Sequence, residues 1–205
     1  YRYDSCGGNT IADPSGIHST MVGATFKARS YFPSMPSPAD GPLKLVGDFL
    51  LLQLKQQPDS DLGTFLNGWN RNTDIASDQS YDFFIGFHYP MGDVEKQSIG
   101  YSVQANGTFN QNQVNGTHWY IPFSVGGTQP GSSGSGLFDK DGKLIGDLSG
   151  GTSSGCNNDP AFANFGKEGL YSKISYNWDN AYDQANHPRP AGQEKQSRLR
   201  DWLDP

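Results

Sequence analysis

The run GLFDKDGKLIGDL at residues 136–148 sets the first constraint on this chain. Asp141-Gly142 stands there between two apolar alternations, and Asp-Gly flanked by alternating hydrophobics is a strong local hairpin signal. The same grammar recurs in TMVGATFKARSYF (20–32), YDFFIGFHYP (81–90), SIGYSVQ (98–104) and THWYIPFSV (117–125), each closed by Gly, Pro or Asn. With 26 Gly and 13 Pro in 205 residues, short antiparallel strands joined by many turns are expected, not a helix bundle.

Two stretches stand apart. In LKLVGDFLLLQL (43–54) a β-rich run passes through a single acid, Asp48, into consecutive leucines. That acid either bonds to nearby backbone at a strand end or has a chemical role. The tail QEKQSRLRDWLDP (193–205) places Leu199, Trp202 and Leu203 at helical spacing, which predicts a C-terminal helix packed on the β body.

Charge and composition exclude several classes. The formal charge is -6 with no basic run, so nucleic acid is not an expected partner. No segment approaches the roughly 20 apolar residues needed to span a bilayer, so no membrane partner is expected either. Cys6 and Cys156 are the two cysteines and lie far apart, without the spacing of a metal or redox pair. The Asp141 loop lacks EF-hand ligand spacing, and no metal or cofactor is expected.

The hexamer GSSGSG at 131–136 follows Pro130 and leads into the hairpin. A Gly/Ser run of this kind is a flexible loop by default. A tight glycine-rich turn, however, also lets successive backbone N–H groups converge on one point, as an oxyanion hole requires. Ser133 as a nucleophile would need a histidine base and a group to orient it.

PGSSGSG resembles the Gly-Asp-Ser-Gly-Gly-Pro signature of trypsin-like serine proteases and, more closely, the Pro-Gly-Ser-Ser-Gly-Ser-Pro of bacterial lysyl endopeptidases. GDFLLLQL is similar to that family's Ser-Asp-Phe-Thr-Leu-Leu-Glu-Leu, which carries the catalytic aspartate. LNGWNRN resembles its Gly-Trp-Asp-Arg, GFHYPMGDVEKQSIG its His-His-Pro segment, and RLRDWLDP its Arg-Leu-Ser-Asp-Trp-Leu-Asp-Pro. The resemblance implies an all-β fold of two antiparallel barrels of the chymotrypsin type. Residues 1–80 would be the remainder of the first, 81–193 the second, and 194–205 the helix. It implies Ser133 as nucleophile, Asp48 as the acid that orients the base, and the N–H groups of Gly131 and Ser133 as oxyanion donors. The expected substrate is a protein or peptide, and the expected location is secreted, extracellular or periplasmic.

The family's base sits in Ala-x-His-Cys upstream of the aspartate, and none of His18, His88, His118 and His187 fits that motif. His88 falls on the His-His-Pro segment and is expected to bond locally beside Pro90, while His118 and His187 are expected to face solvent. The resemblance places Tyr1 inside the first barrel. It implies that Cys6 and Cys156 pair with cysteines of a preceding segment, which would be a disulfide-linked partner; alternatively the two bond each other. The residue before the nucleophile is Ser132, not an aspartate able to pair with a freed amino terminus.

Cleavage after lysine or another basic residue needs an acid at the base of the primary pocket. The family's pocket aspartate falls on Gly169, with Glu168 adjacent, and Glu168 either reaches the pocket or faces solvent. Ser149, Gly150 and Gly151 align with the substrate-binding Leu-His-Gly-Gly segment. Two other classes stay open: a protease fold without a base that serves as a binding module, and a structural β domain.

Overall fold

The computed structural model describes residues 23–31, 46–58, 65–107, 116–152, 167–179 and 198–204. Among them the strands are β1 (Ala24–Tyr31), β2 (Val46–Leu54), β3 (Phe84–His88), β4 (Lys96–Gly100), β5 (Gln104–Gly107), β6 (His118–Pro122), β7 (Gly136–Asp139), β8 (Leu144–Thr152) and β9 (Glu168–Lys173). Two short helices, α1 (Ile174–Asp179) and α2 (Arg200–Leu203), complete the described elements.

β1 and β2 form an antiparallel ribbon, and the other seven strands form one antiparallel sheet in the order β4-β3-β7-β8-β9-β6-β5. That sheet curls until its β4 edge meets the chain just beyond β6. Ile99 donates its N–H to Val125 and its carbonyl accepts from Ser124 and Val125, at 2.8–3.1 Å. Closure of this kind removes the exposed edges that an open sheet would present. The curled sheet lies within residues 81–193 and the ribbon within residues 1–80.

Alternation dictates which side chains fill the barrel. Phe84, Trp119, Ile121, Phe123, Leu137, Ile145, Leu148 and Tyr171 are buried together. Full burial of side chains of this size stabilises by roughly 1.5–3 kcal/mol each before ordering costs. The hairpin predicted around Asp141 joins β7 to β8, with the Asp139 carboxylate accepting from the N–H groups of Asp141 and Lys143.

A second core joins the ribbon to the C-terminal region. Ala28 and Phe49 pack with Ile174, Trp178 and Leu199, and Trp202 and Leu203 lie against them as the helical spacing of the tail predicts. Helix α1, which directly continues β9, has no strong helical pattern of its own; its buried Ile174, Asn177 and Trp178 make it a product of tertiary packing. β2 comes so close to α1 that a Cβ at Gly47 would lie 2.2 Å from Asn177 Oδ1, and Gly47 also has φ +68°. Only glycine satisfies both demands.

One expectation fails here. His118 does not face solvent: it is fully buried on β6. Cys6, Cys156, His18 and His187 lie outside the described residues.

Candidate active site

Ser133 is exposed on the turn that enters β7. The turn is stitched on both sides: Gly134 N–H donates to Leu148 O at 2.7 Å, and Leu148 N–H donates to Ser135 O at 2.9 Å. Before the serine, Ser132 N–H reaches Gln129 O at 2.9 Å and Met91 N–H reaches Pro130 O at 2.7 Å. Gly131 has φ +93°, and a Cβ there would sit 3.2 Å from Met91 N and 3.3 Å from Tyr89 O, so the turn requires glycine. Among the described residues, the N–H groups of Gly131 and Ser133 have no hydrogen-bond acceptor.

Asp48 arrives from the ribbon. Its N–H donates to Ser172 Oγ at 2.8 Å, which pins β2 against β9. Burial raises its carboxyl above the usual range, and a hydrogen bond from the Ser149 hydroxyl works in the other direction. A carboxylate only accepts, so the Ser149 proton goes to Asp48. Ser149 Oγ, 2.8 Å from His118 Nε2, must then accept from Nε2–H. His118 Nδ1 in turn accepts from Thr117 Oγ1 at 2.8 Å. Burial pushes His118 down to about 4, so the ring is neutral, as this chain of donors requires. Asp147, next along β8, is pushed well above the carboxylate range by burial and by the charge of Asp48.

Asp48 and Ser133 thus converge on two consecutive residues of β8: Leu148 holds the serine's turn and Ser149 holds the acid. Beside them lies a cavity of about 230 Å³ lined by Thr128, Gln129, Pro130, Ser133, Leu148, Gly150 and Gly151. It contains three of the residues expected to bind substrate or attack it.

Glu168 and Gly169 are not among its walls. Glu168 Oε1 accepts from Tyr120 OH at 2.6 Å. A Cβ at Gly169 would meet Tyr171 at 2.6 Å and Phe123 at 3.0 Å, so that position points into the aromatic core.

Both described histidines are tied to hydroxyls on both ring nitrogens. His88, buried on β3, contacts Ser98 Oγ and Ser132 Oγ at 2.9 Å each, so its partners come from β4 and from the turn that carries Ser133 rather than from beside Pro90. Neither ring is placed to take a proton from Ser133. Thr117, His118 and Asp147 were not singled out as site residues from sequence. The alternation in THWYIPFSV puts Trp119, Ile121 and Phe123 on the core face and His118 on the opposite one, so it gives no signal that His118 is buried.

Among the described residues no cluster of three or more His, Cys, Asp or Glu side chains could hold a metal ion. No helix among them is long and apolar enough to cross a membrane.

A family model described as lysyl endopeptidase, C-terminal domain, matches residues 1–166. Among solved structures, the chain is similar to the inactive form of the Rv3671c protease, with TM-score 0.41 and 14% identity over 75% of this chain. A serine-to-alanine mutant of Rv3671c from M. tuberculosis H37Rv, also in an inactive form, gives TM-score 0.41 and 12% identity over the same share. The HtrA-type protease AlgW, with a serine-to-alanine change and a decapeptide, gives TM-score 0.41 and 16% identity over 63% of this chain. The chain spans 61% of the length of each Rv3671c structure and 34% of the AlgW chain.

Proposed function

This chain belongs to the lysyl endopeptidase C-terminal domain family, and on that premise we propose that it is the nucleophile-bearing part of a secreted serine endopeptidase. The observation that carries the reading is the convergence of an exposed Ser133 and a half-buried, hydrogen-bonded Asp48 on Leu148 and Ser149.

In this reading a histidine takes the Ser133 hydroxyl proton as Oγ bonds to the substrate carbonyl carbon. The negative oxygen is met by the N–H groups of Gly131 and Ser133. The C–N bond then breaks, the amine leaves with the proton, and water reverses the sequence to release the acid. Asp48 orients the histidine and stabilises its charged form. The substrate backbone lies along Ser149, Gly150 and Gly151, as an added edge strand.

The histidine is supplied by a segment of the same precursor N-terminal to this sequence. Two observations support that: both described histidines are engaged elsewhere, and the β1–β2 ribbon leaves Phe26, Leu50, Leu52 and Leu54 exposed, Leu50 at 61%. Such an apolar face suits strands that complete a barrel. Cys6 and Cys156 are proposed to link the two pieces through disulfides.

Lysine before the cleaved bond, the family's implied preference, would need Glu168 to leave Tyr120 and enter the pocket. The described cavity walls carry no carboxylate, which favours an uncharged side chain there. The binding-module reading has one observation in its favour, the lack of any described histidine beside Ser133.

The test is peptide hydrolysis by the full-length precursor after maturation. Ser133→Ala is expected to abolish turnover and Asp48→Asn to lower kcat by about 10⁴-fold. Hydrolysis that survives Ser133→Ala would refute the reading.

A further inference from the structure

The segment that carries the nucleophile is rich in Gly and Ser, a composition that on its own gives a mobile loop. Its order must come from what it is fastened to. Two of its polar groups lead to one buried ring on the neighbouring hairpin.

Ser98, fully buried on β4, donates its hydroxyl proton to Gly127 O at 3.1 Å. That proton is then spent, so the 2.9 Å contact between Ser98 Oγ and His88 Nε2 is a bond from Nε2–H to the hydroxyl oxygen. A neutral imidazole with its proton on Nε2 presents Nδ1 as an acceptor. The one hydroxyl within reach, Ser132 Oγ at 2.9 Å, donates to it. Ser132 Oγ also accepts from Gln129 N–H at 3.2 Å. Each polar group in the chain from Ser132 through His88 and Ser98 to Gly127 O has a partner of the right sense. His88 and Ser132 are 2% and 1% exposed, so water does not compete. Burial also holds the His88 pKa below its ordinary value, which favours the neutral ring.

We propose that His88 is the positioning residue of the nucleophile loop, its ring clamping the two ends of the segment 127–132 and so fixing the backbone that presents Ser133. The clamp carries no charge and uses no chain terminus. It rests on Ser133 being the nucleophile, as proposed above, but its geometry stands independently of that assignment.

The test uses the full-length protein with ¹⁵N-labelled histidine and a fluorophosphonate as probe. Nitrogen NMR of His88 is expected to show the Nε2–H tautomer; an Nδ1–H tautomer would overturn the clamp. Ser132→Ala and His88→Leu are expected to slow acylation of Ser133 roughly 10–100-fold, because small misplacements cost rates of that order. The same variants are expected to lower kcat with KM little changed. His88→Gln, which offers one donor and one acceptor from the same carbon, is expected to recover most of that loss. Acylation of Ser132→Ala at the wild-type rate, or a Gln variant as slow as the Leu variant, would overturn the proposal. A folded wild-type protein that the probe does not label overturns both this proposal and the protease reading. Normal wild-type labelling with unaffected variants overturns this one alone.

Discussion

His118 Nε2 lies 2.8 Å from Ser149 Oγ, and the same hydroxyl reaches the Asp48 carboxylate. A buried neutral ring on β6 therefore holds, through one serine, the acid that comes from the other half of the molecule. Because Asp48 can only accept, every proton in the row from Thr117 to Asp48 has a fixed direction.

Ser149→Ala removes the hydrogen bond that opposes the effect of burial on Asp48. The Asp48 pKa is expected to rise, since burial is then unopposed. Turnover is expected to fall about tenfold, consistent with losing one hydrogen bond to a charged group. A pH–rate profile checks both points: the acid limb of kcat should move to higher pH in the variant.

His118 also makes stability depend on pH. Its folded pKa of about 4 lies below the unfolded value of 6.5, so between these values the unfolded chain binds more protons. Stability is full above pH 6.5 and is lost as pH falls from 6.5 towards 4, by an amount on the order of 2–3 kcal/mol. Urea unfolding of wild type and His118→Gln across that range should show the slope in the first and a shallower one in the second.

Asp147 works in the opposite sense. Its folded pKa is raised well above 3.8, so it costs stability as pH rises through that region towards neutrality. Asp147→Asn is expected to stabilise the protein at pH 7 and to change stability little at pH 4. Thermal melts at pH 4 and pH 7 should show the gain at the higher pH.

Fold class was legible from sequence because turns and alternation act locally: the β7–β8 hairpin, β2 around Asp48 and the Leu199–Trp202–Leu203 stripe all follow from neighbouring residues. The Ser133 turn was legible for the same reason, since its glycines mark it. What was not legible depends on closure of the sheet. His118 reads as an ordinary member of a polar run until β6, β9 and β8 are side by side, and only then does it face Ser149. His88 likewise gains its partners from β4 and a loop more than forty residues on. Helix α1 escapes a local reading because packing against the ribbon, not periodicity, holds it.

The proposed substrate choice rests on the cavity walls. Among the described residues, Thr128, Gln129, Leu148 and the glycines that line it offer no counter-charge, and burying an ammonium without one is costly. Peptides with an uncharged residue before the scissile bond are expected to be cleaved at least about tenfold more efficiently than their lysine counterparts. A kcat/KM series differing only at that residue checks this, and a lysine preference lost in Glu168→Gln would show instead that Glu168 enters the pocket.

Whether Ser133 is an activated nucleophile is decided by peptide mass spectrometry of the folded full-length protein after treatment with a fluorophosphonate. A single adduct on Ser133, absent from Ser133→Ala, is the predicted result. Folded protein that takes up no label, or that takes it up equally in Ser133→Ala, would contradict the account.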